Sequence, residues 1–195
     1  PSNFNDPWDC YLSFRQLPQS AEQLVNEVLN TPSSELLPDF LKLKENVSKT
    51  PPAHLQELIH DFPFEKYISF LKSSQEESTI DIRNGLGVCC MSATPYNQLM
   101  WAHYANNHKG FVVHIEVPIT EVRRKGYLTP IYVNYCKEPF SPNSRQLIGS
   151  PSAWAVDLVG CKSEFWQYEN EVRFITTDGR CTKEFPKNWL KSVIV

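Results

Sequence analysis

Apolar residues in the first 78 positions recur at the three-and-four spacing of helices. Ser20 and Gln23 form a capping-box pattern ahead of Leu24, Val25, Val28 and Leu29, so a helix is expected to begin there. Further helices are expected over 36–44, 53–61 and 64–74, punctuated by Pro32, Pro38, Pro51, Pro52 and Pro63. At the very start, Asn5-Asp6-Pro7 reads as a helix N-terminus, with Asp6 accepting from free backbone N–H groups and Pro7 at the first helical position.

From Ile80 the pattern changes. Four short runs rich in β-branched and aromatic residues, 88–91, 111–117, 131–135 and 172–175, predict strands. Between the first two, Tyr96, Met100, Trp101, Tyr104 and Ala105 share one face of a helix expected over 96–106, ended by Gly110. Another short helix is expected over 119–125, and the Pro/Ser-rich stretch 139–152 reads as a surface loop. The run Ser192-Val193-Ile194-Val195 reads like a strand cut short. No internal repeat is visible. The expected class is α+β in a single domain over 1–195, a mainly helical part (1–78) preceding a mostly antiparallel, sheet-rich part (79–195).

Composition narrows the choice. With 195 residues, 41% of them hydrophobic and 21% charged, the chain can bury a real core. Its 22 acidic and 19 basic residues are interspersed for a formal charge of -3, so there is no polybasic footprint for nucleic acid or anionic lipid. Cys10, Cys89, Cys90, Cys136, Cys161 and Cys181 show no zinc-type spacing, so no metal is expected and the neighbouring Cys89 and Cys90 are read as buried free thiols. With no apolar run long enough to span a bilayer and no signal-peptide pattern, a soluble cytoplasmic protein is expected.

Four segments can carry chemistry. In Tyr168-Glu169-Asn170-Glu171-Val172-Arg173, two carboxylates two residues apart would point to one side if the backbone is extended. One can then stabilise a developing cation while the other serves the acceptor. The alternative is a solvated strand entrance with Glu171 facing Arg173 or a lysine. In Cys90-Met91-Ser92-Ala93-Thr94, the small hydroxyl residues can bind a carboxylate or a ribose, or cap the following helix, the expected role of Thr94. Trp101 and Tyr104 lie on one helical face and His103 diverges from Tyr104, so these are read as core aromatics or as ligand contacts. Finally, in the segment 161–168, Lys162 and two aromatics just before the glutamate pair can hold a phosphate and stack a planar ring, or Phe165, Trp166 and their neighbours belong to a helix packed on the sheet.

The segments Phe4-Asn5-Asp6-Pro7-Trp8-Asp9, Met100-Trp101-Ala102-His103-Tyr104 with Lys109-Gly110-Phe111, and Lys162 with Trp166 through Arg173 resemble the signatures of bacterial domain-of-unknown-function family 2971. The order of features also resembles the ADP-ribosyltransferase fold, a split, mostly antiparallel sheet here preceded by a helical block. Met91-Ser92-Ala93-Thr94 stands in the place of its Ser-Thr-Ser pattern, 111–118 in that of the next strand, and Glu169-Asn170-Glu171 in that of its Glu-x-Glu loop. Ala93 departs from the pattern, and the arginine or histidine of an early strand has no counterpart, which implies a fragment lacking an N-terminal strand.

The resemblance implies NAD as substrate. Glu171 would contact the nicotinamide ribose, Glu169 would face the acceptor and Ser92 would support the site, with Thr94, Trp101, His103, Tyr104, Lys162 and Trp166 as further ligand contacts. By analogy of fold it implies a toxin or antiphage effector acting on a protein or nucleic-acid target and restrained by an antitoxin or regulatory partner. Two other readings stand beside it: a non-catalytic module binding a nucleotide or a protein, and a hydrolase with His103 as base.

Overall fold

A computed structural model describes residues 6, 9–118, 120, 122, 128–179, 181, 182 and 184–195. The architecture is α+β, and the chain forms two compact units. The helical unit comprises Cys10–Asp81 and Phe140–Val159, and the sheet unit Pro1–Asp9, Ile82–Pro139 and Gly160–Val195.

In the helical unit, α1 (Ala21–Asn30) buries Leu24, Val25 and Val28. Ser20 accepts from the Gln23 backbone as a cap should, but the Gln23 amide oxygen accepts from the N–H of Gln19, so the expected box closes one residue early. Helix α2 (Pro38–Lys49) begins with proline at its first turn, and α3 spans Leu55–His60. Helix α4 (Phe64–Gly85) runs eleven residues past the expected end at Ser74. Its buried face continues as Ile68, Leu71, Gln75 and Thr79, and each of the two polar members makes a hydrogen bond there, although the Gln75 amide oxygen is buried without a partner. The Gln75 amide donates to the carbonyl of Leu147 and the Thr79 hydroxyl to that of Gln75.

The stretch 139–152 is not simply a loop. Asn143 and Gln146 form a reciprocal capping box on α6 (Ser144–Ile148), which buries Leu147 and Ile148 completely in the apolar core of this unit. Helix α7 follows at Ala155–Gly160.

In the sheet unit, β1 (Gly87–Ser92), β6 (Glu171–Thr176) and β3 (Thr129–Tyr132) form an antiparallel sheet in the order β1-β6-β3. Pro130 suits β3 to its edge position, where one backbone side needs no donor. The single strand expected over 131–135 breaks at Val133, and its second half, β4 (Asn134–Cys136), pairs in parallel with β5 (Cys161–Ser163). β2 (Val112–Ile115) pairs with β7 (Leu190–Ile194), the strand read at the end of the sequence.

Helix α5 is shorter than expected, Gln98–Tyr104, and Asn97 caps it rather than Thr94. Its exit turns through Asn106, Asn107 and His108, all with positive φ (49, 52 and 63°), while Gly110 closes against the Ala105 backbone, which a Cβ would meet at 2.9 Å.

Two other expectations fail. No helix precedes α1 among the described residues; Asp6 instead forms a turn with Asp9, whose N–H donates to the Asp6 carbonyl (3.0 Å). Cys89 and Cys90 are exposed rather than buried, on a strand that is only partly covered along its length. The helix expected over 119–125 lies mostly outside the described residues. No described helix is long and apolar enough to cross a membrane.

Candidate functional site

The sheet unit buries charge. On β6, Glu171 and Arg173 stand two residues apart on one face, so the guanidinium folds back on its neighbour: Nε donates to Glu171 Oε1 (2.8 Å) and Nη2 to Oε2 (3.2 Å). Nη2 also donates to Asp9 Oδ1 at 2.7 Å. From the middle of β5, the Lys162 ammonium donates to Glu171 Oε2 (3.0 Å) and to Glu169 Oε2, and lies 4.0 Å from Asp9 Oδ2. All five side chains are buried, Arg173 completely. Three carboxylates against two cations leave one formal negative charge in excess.

Burial on this scale requires compensation. Burial pushes Glu171 toward its neutral form, but the hydrogen bonds and charge of Arg173 prevail and hold it below its ordinary value. Lys162 is likewise kept charged by Glu169 and Glu171 against the pull of burial. For Asp9 the balance reverses: burial outweighs Arg173 and Lys162, and its pKa is pushed up to about 6. The Cys90 thiol, beside Glu171, is pushed up by burial and by that carboxylate. Cys90 is exposed as a residue, but its thiol is directed at the Glu171 carboxylate and donates to it.

The backbone that presents the two glutamates is clamped. A 3-10 turn, Glu164–Glu169, leads through Asn170, left-handed at φ 45°, into β6. Three successive carbonyls of this passage accept bonds from the segment joining β1 to α5: Tyr168 from the Asn97 amide (2.9 Å), Glu169 from the Ser92 hydroxyl (2.7 Å) and Asn170 from the Ala93 N–H (2.8 Å). Ser92 is also the ladder partner of Glu171. The Glu171 N–H donates to the Tyr135 hydroxyl (2.9 Å). Tyr104, half exposed on α5, donates its phenol to Glu169 Oε1 (2.6 Å) and so joins the surface to the buried acids. Beside it runs a row of rings: Tyr104 to His103 (6.3 Å between centroids), His103 to Tyr168 (6.2 Å) and Tyr168 to Trp166 (5.9 Å), with the Lys162 ammonium 5.2 Å from the Trp166 ring.

Residues 100–174 match the family described as "Protein of unknown function (DUF2971)". That segment belongs to the family. No curated protein and no solved structure matches the chain significantly. The DUF2971 segment carries Tyr104, Tyr135, Lys162, Glu169, Glu171 and Arg173, while Asp9 and Ser92 lie before it.

The structure brings Ser92, Glu169 and Glu171 together, with Lys162 between the two carboxylates. Their convergence does not come from strand alternation, because the chain is extended only from Glu171 onward; the left-handed Asn170 turns Glu169 back toward Lys162. Lys162 is no exposed phosphate ligand, since its ammonium is directed at carboxylates. Glu171 does face Arg173, as the salt-bridge alternative has it, but in the interior rather than at a solvated entrance. Thr94 accepts from the Tyr96 N–H in a local turn, and the Trp101 indole donates to the Pro95 carbonyl, so both brace the β1–α5 connection. Phe165 and Trp166 sit on the 3-10 turn rather than on a helix against the sheet, with Phe165 exposed. Asp9, Asn97 and Tyr135 were not singled out from the sequence; the available signal for Asp9 was a second acid in Asp6-Pro7-Trp8-Asp9 that no helix cap requires. No group of three or more metal-ligating side chains occurs among the described residues.

Proposed function

We propose that the sheet unit is an NAD-cleaving, ADP-ribosyltransferase-like catalytic unit. Its three small sheets would be elements of that split-sheet fold. In this reading the C–N bond to nicotinamide breaks with its electron pair leaving on the ring nitrogen, which neutralises the pyridinium. The oxocarbenium-like ribose left behind is stabilised by Glu171, and Glu169 orients the protein, nucleic-acid or water acceptor, which bonds to the anomeric carbon as its proton passes to Glu169. The supporting observation is the convergence of Glu169 and Glu171 in a cluster of net negative charge, clamped through Ser92. A preorganised negative field suits a developing cation. The ring row through Trp166, Tyr168 and His103 offers π-faces to a planar base. A cytoplasmic toxin or antiphage effector, held by a restraining partner, is the biological role that goes with this chemistry.

One observation favours a second reading, a nucleotide-binding module without chemistry: both Glu171 oxygens are already engaged by Arg173 and Lys162. A hydrolase with His103 as base has less support, since the described contacts of that ring are Tyr104 and Tyr168 rather than a carboxylate.

Nicotinamide release from NAD separates the readings. Glu171→Gln keeps shape but removes charge, so release should fall by about 100-fold with little change in NAD affinity. Glu169→Gln should suppress labelled transfer to a cell extract while slow hydrolysis persists. Near-normal release by Glu171→Gln would refute the catalytic reading, and NAD binding without release would establish the second.

A further inference from the structure

The first acids of the chain lie on this cluster. The Asp9 N–H closes a turn on the Asp6 carbonyl, and the Asp6 carboxylate accepts from the Ser163 N–H at 2.7 Å, one residue beyond Lys162. The turn is thereby fastened to β5, and its far end delivers Asp9 to Arg173. There, two carboxylates share one donor nitrogen: Nη2 is 2.7 Å from Asp9 Oδ1 and 3.2 Å from Glu171 Oε2, so Asp9 holds it more closely. The other Asp9 oxygen, Oδ2, is buried without a hydrogen-bond partner, within charge range of Lys162 but beyond bonding distance.

We infer that Asp9 is a positioning residue for Glu171: it holds the Arg173 guanidinium in place, and whether Oδ2 carries a proton decides how strongly Arg173 engages Glu171. Its catalytic consequence rests on the NAD-cleaving reading; the electrostatic coupling does not. The charged groups facing Asp9 are Arg173 and Glu171 from β6 and Lys162 from β5, with Glu169 behind Lys162. When Asp9 is ionised it draws on the guanidinium and Glu171 is less neutralised. When it takes a proton on the unpartnered oxygen, Arg173 is left more fully to Glu171. Burial sets that exchange at about pH 6.

The test is carboxyl-carbon and arginine-nitrogen NMR across pH 5 to 8, in the wild-type protein and in Asp9→Asn, alongside nicotinamide release over the same range. Asparagine keeps an oxygen acceptor for Nη2 but cannot ionise. In the wild type, the Glu171 carboxyl and Arg173 Nε signals should inflect together with Asp9 near pH 6. In Asp9→Asn that inflection should vanish from both signals and from the release profile, with kcat lower by on the order of tenfold and KM little changed. Asp9→Ala, lacking the acceptor too, should fall further. A Glu171 signal that ignores the Asp9 titration in the wild type, or that is unchanged in Asp9→Asn, overturns the inference. If the wild type releases no nicotinamide, the catalytic reading fails while the NMR comparison still decides the role of Asp9. If Asp9→Asn loses its cooperative melt, the wild-type titration decides alone.

Discussion

The two units of this chain bury opposite materials. The helical unit closes on Leu24, Val28, Phe40, Leu71, Leu147 and Ile148, side chains whose partners are interchangeable. At the centre of the sheet unit lie Asp9, Lys162, Glu169, Glu171 and Arg173, where each group depends on particular others. An apolar interior loses stability in proportion to what is removed, whereas an ionic one loses it according to what is left uncompensated.

The most severe test of this contrast is Arg173→Met, which strands Asp9 and Glu171 without their shared cation. It should cost about 3–5 kcal/mol by chemical denaturation at pH 7.5, and part of the loss should return near pH 5 as the stranded acids take up protons. Leu71→Ala in the helical unit should cost about 3 kcal/mol and show no such recovery. Equal pH responses in the two variants would erase the distinction.

A second test concerns pH in the intact protein. The raised pKa of Asp9 contributes stability that is full below its ordinary value of 3.8 and is lost as pH rises through about 6. Glu171, with its pKa lowered, contributes stability present above its ordinary value of 4.5 and lost as pH falls below it. Between pH 4 and 6.5 the Asp9 contribution should therefore decline by about 2 kcal/mol, seen as the difference between wild type and Asp9→Asn in paired denaturation curves. A constant difference across that range would mean that Asp9 is not proton-linked to folding.

The mildest pair compares two serines. Ser20→Ala removes the cap of α1 and Ser92→Ala the hydroxyl on the Glu169 carbonyl, and each should cost about 1 kcal/mol. Only the second should also lower nicotinamide release, because only Ser92 holds the passage that presents the glutamates. A fall in release from Ser20→Ala of the same size would indicate general destabilisation instead.

The same contrast explains what could be read from the sequence. Helical periodicity announced α1 to α4 because an apolar stripe is local information, and it gave out at Gln75 and Thr79, polar residues on the buried face, of which Gln75 bonds the distant Leu147 carbonyl and Thr79 the carbonyl one turn back. α6 was hidden by its Pro/Ser-rich flanks, although Asn143 and Gln146 carried the capping pattern. In the site, Glu169, Glu171, Ser92 and Lys162 stood out by residue type and spacing. Asp9 did not, for it is 164 residues from its partner Arg173, and no local rule pairs charges over such a distance.

Asn170 contributes no charge to the cluster, yet it constrains which sequences can have one. Its φ of 45° and ψ of 55° suit asparagine, aspartate and glycine, while other side chains pay roughly 1–2 kcal/mol there and branched ones more. A homologue written Glu-Gly-Glu could keep both acids on one lysine. One written Glu-Val-Glu would retain every titratable group and lose the arrangement, so the kinship of such sites is to be traced through the uncharged letter between the two acids.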